Sequence, residues 1–267
     1  MTFTMRILNQ KWLIGIASLI FAIVILKFAL SWFFIVFLSI ICAICAREFC
    51  DIMKINRRWY FIASSVALML SGLFDLIDAA LFLVIGIYCA LTLRGWRTPS
   101  DTADLAFAVL GFFIIGYSMS YWIALRAQTN GPSIAATLFV WASASNITAQ
   151  VFGRFWKSGV PITQASPNKK IFPTIAAIIP AALISYAGAD LLNYEIHLST
   201  FLMLFPVIWL CVRIGDLTES MIKRYADVAD SGGILGRHGG MLDAMDSFWF
   251  SAPVMYYAAS YALGGAL

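Results

Sequence analysis

From residue 12 onward the chain is a succession of apolar runs, and nearly all of its charge is gathered in the short stretches between them. Runs of about 17–22 residues are what a helix rising 1.5 Å per residue needs to cross the ~30 Å hydrocarbon core of a bilayer. In lipid every backbone N–H and C=O must be paired within the protein, so a spanning chain is either helical or a closed barrel. The runs are rich in phenylalanine and lack the alternation of a barrel strand, which leaves helices. Composition agrees: 61% of residues are hydrophobic and 12% charged, against roughly half and a quarter in a soluble domain. The expected fold class is an all-α integral membrane protein.

Nine spans are predicted, near 12–28, 30–46, 59–74, 76–93, 105–125, 133–152, 171–192, 197–214 and 247–266. The first two are separated only by Lys27 and Ser31. A single helix across both would be about 52 Å long, too long for one crossing, so a tight turn is expected there. Cation placement tests the count independently. With the N-terminus in the cytoplasm, every Lys and Arg except Lys27 and Arg126 falls on the inner side, as the positive-inside rule requires. That places the C-terminus outside and makes the net charge of +4 a matter of orientation, not a nucleic-acid signal. The expected location is the bacterial inner (plasma) membrane. No linker separates soluble domains, so residues 1–130 and 131–267 are read as the N-terminal helices and the C-terminal, site-bearing region of one membrane unit. The five cysteines lie in or beside spans and read as small buried hydrophobes rather than zinc ligands.

Two inner loops are long, 153–170 and 214–246. The second contains the run "SMIKRYADVADSGGILGRHGGMLDAMD", Ser220 to Asp246. Asp216 is expected to cap a helix in which Glu219 and Lys223 pair at i, i+4. The glycines at 232, 233 and 236 should break it, and a new helix should begin near Met241 with Asp243 and Asp246 on one side. A solvated loop would account for the charges but not for a histidine among glycines or paired acids where the chain re-enters the membrane. An ion path would need charge within the spans, which are nearly bare of it. A phosphate and metal site uses every part. Lys223 and Arg224 offer cations to phosphate oxygens, the glycines let backbone N–H groups approach an anion, and Asp230, Asp243 and Asp246 are hard oxygen ligands suited to magnesium.

The same stretch resembles the C-terminal motif of the CDP-diacylglycerol synthase (phosphatidate cytidylyltransferase) family, Ser-x-x-Lys-Arg, four residues, Lys-Asp, a Gly-rich turn, then His-Gly-Gly-x-x-Asp-Arg-x-Asp. Here it reads Ser220, Lys223-Arg224, Ala229-Asp230, His238-Gly239-Gly240, Asp243-Ala244 and Asp246, with each spacing kept. "GDLTES" (215–220) is similar to the family's lead-in, "SNITAQVFGR" (145–154) to its Asp-x-x-Ala-Tyr-x-x-Gly-Arg, and "ASPNKK" (165–170) to its Ser-Pro-x-Lys-Thr-Trp-Glu-Gly. Residues 1–130 match in hydropathy alone.

The resemblance implies transfer of CMP from CTP to phosphatidate or a similar anionic lipid, with Mg2+ as cofactor, a second cation left open, and a homodimer as the assembly. It implies catalytic roles for Asp230, Asp243, Asp246, Lys223 and His238, the three aspartates holding the metal. It implies substrate contacts from Ser220, Lys223, Arg224, Arg237, Gly239, Gly240, Asn146, Ser166 and Lys169. The chain departs from the pattern at Ala229 and Ala244, where the family has Lys and Arg, and at Asn146 and Gln150, where it has Asp and Tyr. Weakened transfer, another anionic lipid as acceptor, and a non-catalytic relative that binds lipid or nucleotide all remain open.

Overall fold

A computed structural model describes residues 20–236 and 239–261. Residues 20–28 are helical and break at 29–30, where the short polar interruption called for a turn. Then follow α1 (Ser31–Met53), α2 (Arg58–Leu70), α3 (Ile77–Gly95) and α4 (Pro99–Gly111). A π-turn, Phe112–Tyr117, joins α4 to α5 (Ser118–Ala127). The second half comprises α6 (Gly131–Phe155), α7 (Ile171–Ala176), α8 (Ile178–Leu191), α9 (Leu198–Tyr225), the short α10 (Met241–Met245) and α11 (Ser251–Tyr261). No strand occurs among the described residues, and an isolated bridge links Pro161 to Lys170.

Among the described residues six helices are long and apolar enough to cross a membrane: α1, α3, the α4–α5 unit, α6, the α7–α8 unit and α9. The run expected at 59–74 forms α2 and a 3-10 turn, Ser71–Leu73. The outermost expected spans, 12–28 and 247–266, extend beyond the described residues. One boundary needs correction. The helix expected to stop at 214 runs unbroken to Tyr225, so Asp216 lies inside α9 and caps nothing. Nothing in "RIGDLTES" breaks a helix strongly enough. The helix ends instead at a left-handed Asp227, φ 54°, five residues before the first glycine expected to break it.

Between membrane helices, close packing matters more than solvent exclusion, and small residues allow it. At Gly111 a β-carbon would sit 2.5 Å from the Phe61 ring and 2.6 Å from Phe49. The bare glycine lets α4 close on α1 and α2, and the rings of Phe49, Phe61 and Phe112 stack in series there. Trp141 of α6 packs edge-on against Phe201 and Phe205 of α9 and donates to the Ser185 carbonyl of α8 at 3.0 Å. Lys27 and Arg126 meet at one end of the bundle, on the carbonyls of Leu192 and Ala29. The other end, where α6 and α9 finish, carries the polar loops.

Candidate active site

Between the last turns of α6 and α9 lies a cleft of about 550 Å3. Its floor is acidic. Asp216 and Glu219 stand one turn apart on α9, so both project the same way, and Asp246 comes to meet them from the 3-10 turn Asp246–Phe248. One carboxylate oxygen from each lies within 4.8 Å of the others. Gly215 makes that approach possible: a β-carbon there would overlap the Asp246 carbonyl oxygen. Asp246 and Glu219 are only 6% and 4% exposed, and Glu219 Oε1 has no hydrogen-bond partner among the described residues. Burial, and then the negative charge of Asp216, push the Asp246 carboxyl up to about 7, against the hydrogen bond from Ser247 and the nearby Lys169. Hard oxygens held together against their repulsion, one with an unpartnered atom, fit a divalent cation of the magnesium type.

The rim is basic, with Arg154, Lys169, Lys170 and Arg213 lining the cleft. Two of these cations are committed. Lys169 Nζ donates to Asp216 Oδ1 at 2.6 Å and to Ser220 Oγ at 3.1 Å. Arg213 lies 3.8 Å from Asp216 and donates to Asn146 Oδ1. Lys170, by contrast, has no ion pair among the described residues. Asn146 Nδ2 donates to Ser247 Oγ at 2.7 Å, and Ser247 Oγ donates to Asp246 Oδ1 at 2.8 Å. An aspartate at 146 would accept from Arg213 but could not donate to Ser247. The amide therefore closes a chain from α9 through α6 to the acidic floor.

The residues nominated from sequence divide into groups. Asp243 and Asp246 both line the cleft, as do Asn146, Ser166 and Lys169. Asp243 is engaged elsewhere, however: its carboxylate accepts from Lys223 Nζ (3.2 Å), Gly240 N (2.6 Å) and Ser231 N (3.1 Å). Burial opposes its ionisation, but contacts from Glu219, the Gly240 and Ser231 N–H groups and Lys223 outweigh it and hold the carboxyl down at about 2. Lys223 also makes the expected pair with Glu219, at 2.9 Å. Asp230 is exposed, near Gly239 and outside the three-carboxylate group. Arg224 is exposed and ties the 156–170 loop to α9 by donating to the Ala165 carbonyl at 3.2 Å. Gly239 and Gly240 are buried at the foot of the glycine turn. Arg237 and His238 lie outside the described residues.

Sequence reasoning passed over Asp216, Glu219 and Arg213 as site groups, and Glu48 entirely. For Asp216 and Glu219 the signal was present as an i, i+3 carboxylate pair, masked because a helix start was assumed between them and the span.

Fold and site together define a membrane-helical bundle with a cation-rimmed, carboxylate-floored cleft. The chain belongs to the Cytidylyltransferase family, whose profile matches residues 5–262. A phosphatidate cytidylyltransferase of Synechocystis is 27% identical over 288 aligned positions, covering 95% of each chain. One from Staphylococcus epidermidis is 32% identical over 154, covering 57% of this chain and 58% of the relative. The chloroplastic phosphatidate cytidylyltransferase 4 of Arabidopsis thaliana is 28% identical over 214, covering 68% and 51%.

Proposed function

We propose that this protein transfers CMP from CTP to phosphatidate, forming CDP-diacylglycerol and pyrophosphate at the cytoplasmic face of the membrane. A phosphate oxygen of the lipid attacks the α-phosphorus of CTP, and the bond from that phosphorus to the oxygen of the β-phosphate breaks as pyrophosphate leaves. Catalysis of such a step is mostly positioning and charge neutralisation. The observation that carries the reading is the cleft itself, where Asp216 and Asp246, clustered with the buried Glu219, lie beneath a basic rim. In an anionic-substrate site, buried carboxylates are useful when a cation bridges them to phosphate. Asp216 and Asp246, with Glu219, would hold Mg2+, which when bound offsets the negative charge of the triphosphate and leaving group.

The chain's own residues divide the remaining work. Lys169 and Arg213 hold Asp216 in place, and the Asn146–Ser247 pair orients Asp246. Lys170 is the rim cation with its ammonium uncommitted among the described residues, and we assign it to substrate phosphate. Asp243 and Lys223 shape the loop around the floor, so their part in binding is indirect.

The test is a CTP-dependent assay of the purified chain in lipid, with phosphatidate and other phospholipid acceptors. CDP-diacylglycerol formation that requires Mg2+ is expected. Transfer to a different lipid alone would move the assignment to that acceptor. No transfer to any lipid phosphate, with CTP still bound, would favour a binding protein. The exposed Ala229 and Ala244 stand where the family resemblance places cations. Restoring Ala229→Lys and Ala244→Arg together should raise turnover if those cations reach the polyphosphate.

A further inference from the structure

The deepest contact with the glycine turn comes from the opposite end of the sequence. Glu48 of α1 is 6% exposed. Its Oε2 accepts from Leu242 N at 2.8 Å and from Ser231 Oγ at 3.4 Å, and its Oε1 accepts from Met241 N at 3.1 Å. These groups stand on both strands of the turn's neck, the descending one at Ser231 and the returning one at 241–242. The glycines beside it leave room for the carboxylate and nothing more. A β-carbon on Gly232 would overlap Glu48, and its three nearest atoms would all be Glu48 atoms. One on Gly240 would overlap Ser231 Oγ and press on Glu48 Oε2. Asp243 grips the same neck from the other side, through Ser231 N and Gly240 N. Two carboxylates thus cinch one neck, and the segment they fix leads within a few residues into Asp246.

We infer that Glu48 is a positioning residue for the active site, a pin from the first half of the chain that sets where α10 and the following turn deliver Asp246. This rests on the function proposed above for its Mg2+ readout; the exchange readout tests the pin without it. A five-residue helix cannot hold its own register. A buried carboxylate accepting two successive N–H groups at its start supplies charge-assisted bonds that a neutral side chain does not match. Glutamine fills the same space but replaces one accepting oxygen with a donor, so it separates pinning from filling.

The full-length protein in lipid nanodiscs would be studied as wild type, Glu48→Gln and Glu48→Ala. One measurement is amide hydrogen exchange over 239–248, with 118–127 of α5 as the internal control. The other is the Mg2+ concentration that half-protects 239–248. Exchange in 239–248 should rise at least tenfold in Glu48→Ala and by an intermediate factor in Glu48→Gln, with α5 unchanged. Half-protection should need several-fold more Mg2+ in the same order. Gly232→Ala should raise exchange strongly in the wild type and little beside Glu48→Ala, because the crowding atoms are gone. Exchange and Mg2+ response in Glu48→Gln equal to wild type would overturn the pin. So would an equal rise in α5, which would make Glu48 a general packing residue, or a rise in exchange with no change in the Mg2+ requirement. A wild type that transfers no cytidylyl group to any lipid but shows the expected exchange pattern would sink the proposed reaction and leave the pin standing.

Discussion

At the residue scale, four aspartates that look alike in the sequence have different surroundings, and each surrounding predicts a different consequence. Asp216, half-buried, and Asp246, buried, belong to the acidic floor, whereas Asp243 is occupied by Lys223 and two backbone N–H groups, and Asp230 is exposed. Asp216→Asn and Asp246→Asn should each weaken Mg2+-dependent CTP binding at least tenfold, about 1.4 kcal/mol. Asp230→Asn should change it least, and titration calorimetry with and without Mg2+ reads the order. The pH dependence follows from Asp246. Its folded carboxyl is raised from 3.8 to about 7, so between those values the metal-free folded state keeps a proton that the unfolded chain releases. Stability without metal should therefore fall as pH rises through that window. Because Mg2+ must displace the same proton, its apparent affinity should rise with pH across that window. Asp243, held down at about 2, contributes no slope there. Thermal melts from pH 5 to 8 with and without Mg2+ check both signs. Lys170→Gln should raise the KM for a phosphate-bearing substrate by about 10- to 150-fold, the range expected when a charge-assisted hydrogen bond worth about 1.5–3 kcal/mol is lost.

At the element scale, the site depends on α9 continuing past its apolar part. Had the helix stopped at 214, Asp216 and Glu219 would not be carried rigidly on the spanning helix, and the 3.2 Å pair by which Lys223 joins α9 to Asp243 of α10 would lose its placement. The meeting of α9 with the Asp246 turn is tight enough that only glycine fits at 215. Gly215→Ala should push the turn away, cost about 1–3 kcal/mol as an overpacked contact, and weaken Mg2+ binding beyond what its drop in melting temperature accounts for. The 156–170 loop is a separate element held to α9 by Lys169 and Arg224. Arg224→Ala should increase proteolysis of that loop while leaving Mg2+ binding to the floor close to wild type.

At the scale of the whole molecule, the apolar runs and the placement of cations predict nine crossings with the two termini on opposite sides. A reporter fused after Leu267 should lie outside and one inserted in 155–170 inside; both on one side would remove an odd number of the crossings between them. The helical class, the turn at 29–30, the Glu219–Lys223 pair and the restart at Met241 were all legible in the chain, because each rests on neighbours a few residues apart. Family resemblance was legible in the second half for the same reason, since its motif is contiguous. The composition of the acidic floor was decided by tertiary structure, because which carboxylates meet depends on α9 staying helical through Gly215 and on the Asp246 turn packing against it. The engagement of Glu48 was decided there too. Glu48, between Arg47 and Asp51 at the end of an apolar helix, carries no local sign of a partner more than 180 residues away, and only the packing of α1 against α10 brings its carboxylate to the N–H groups of Met241 and Leu242.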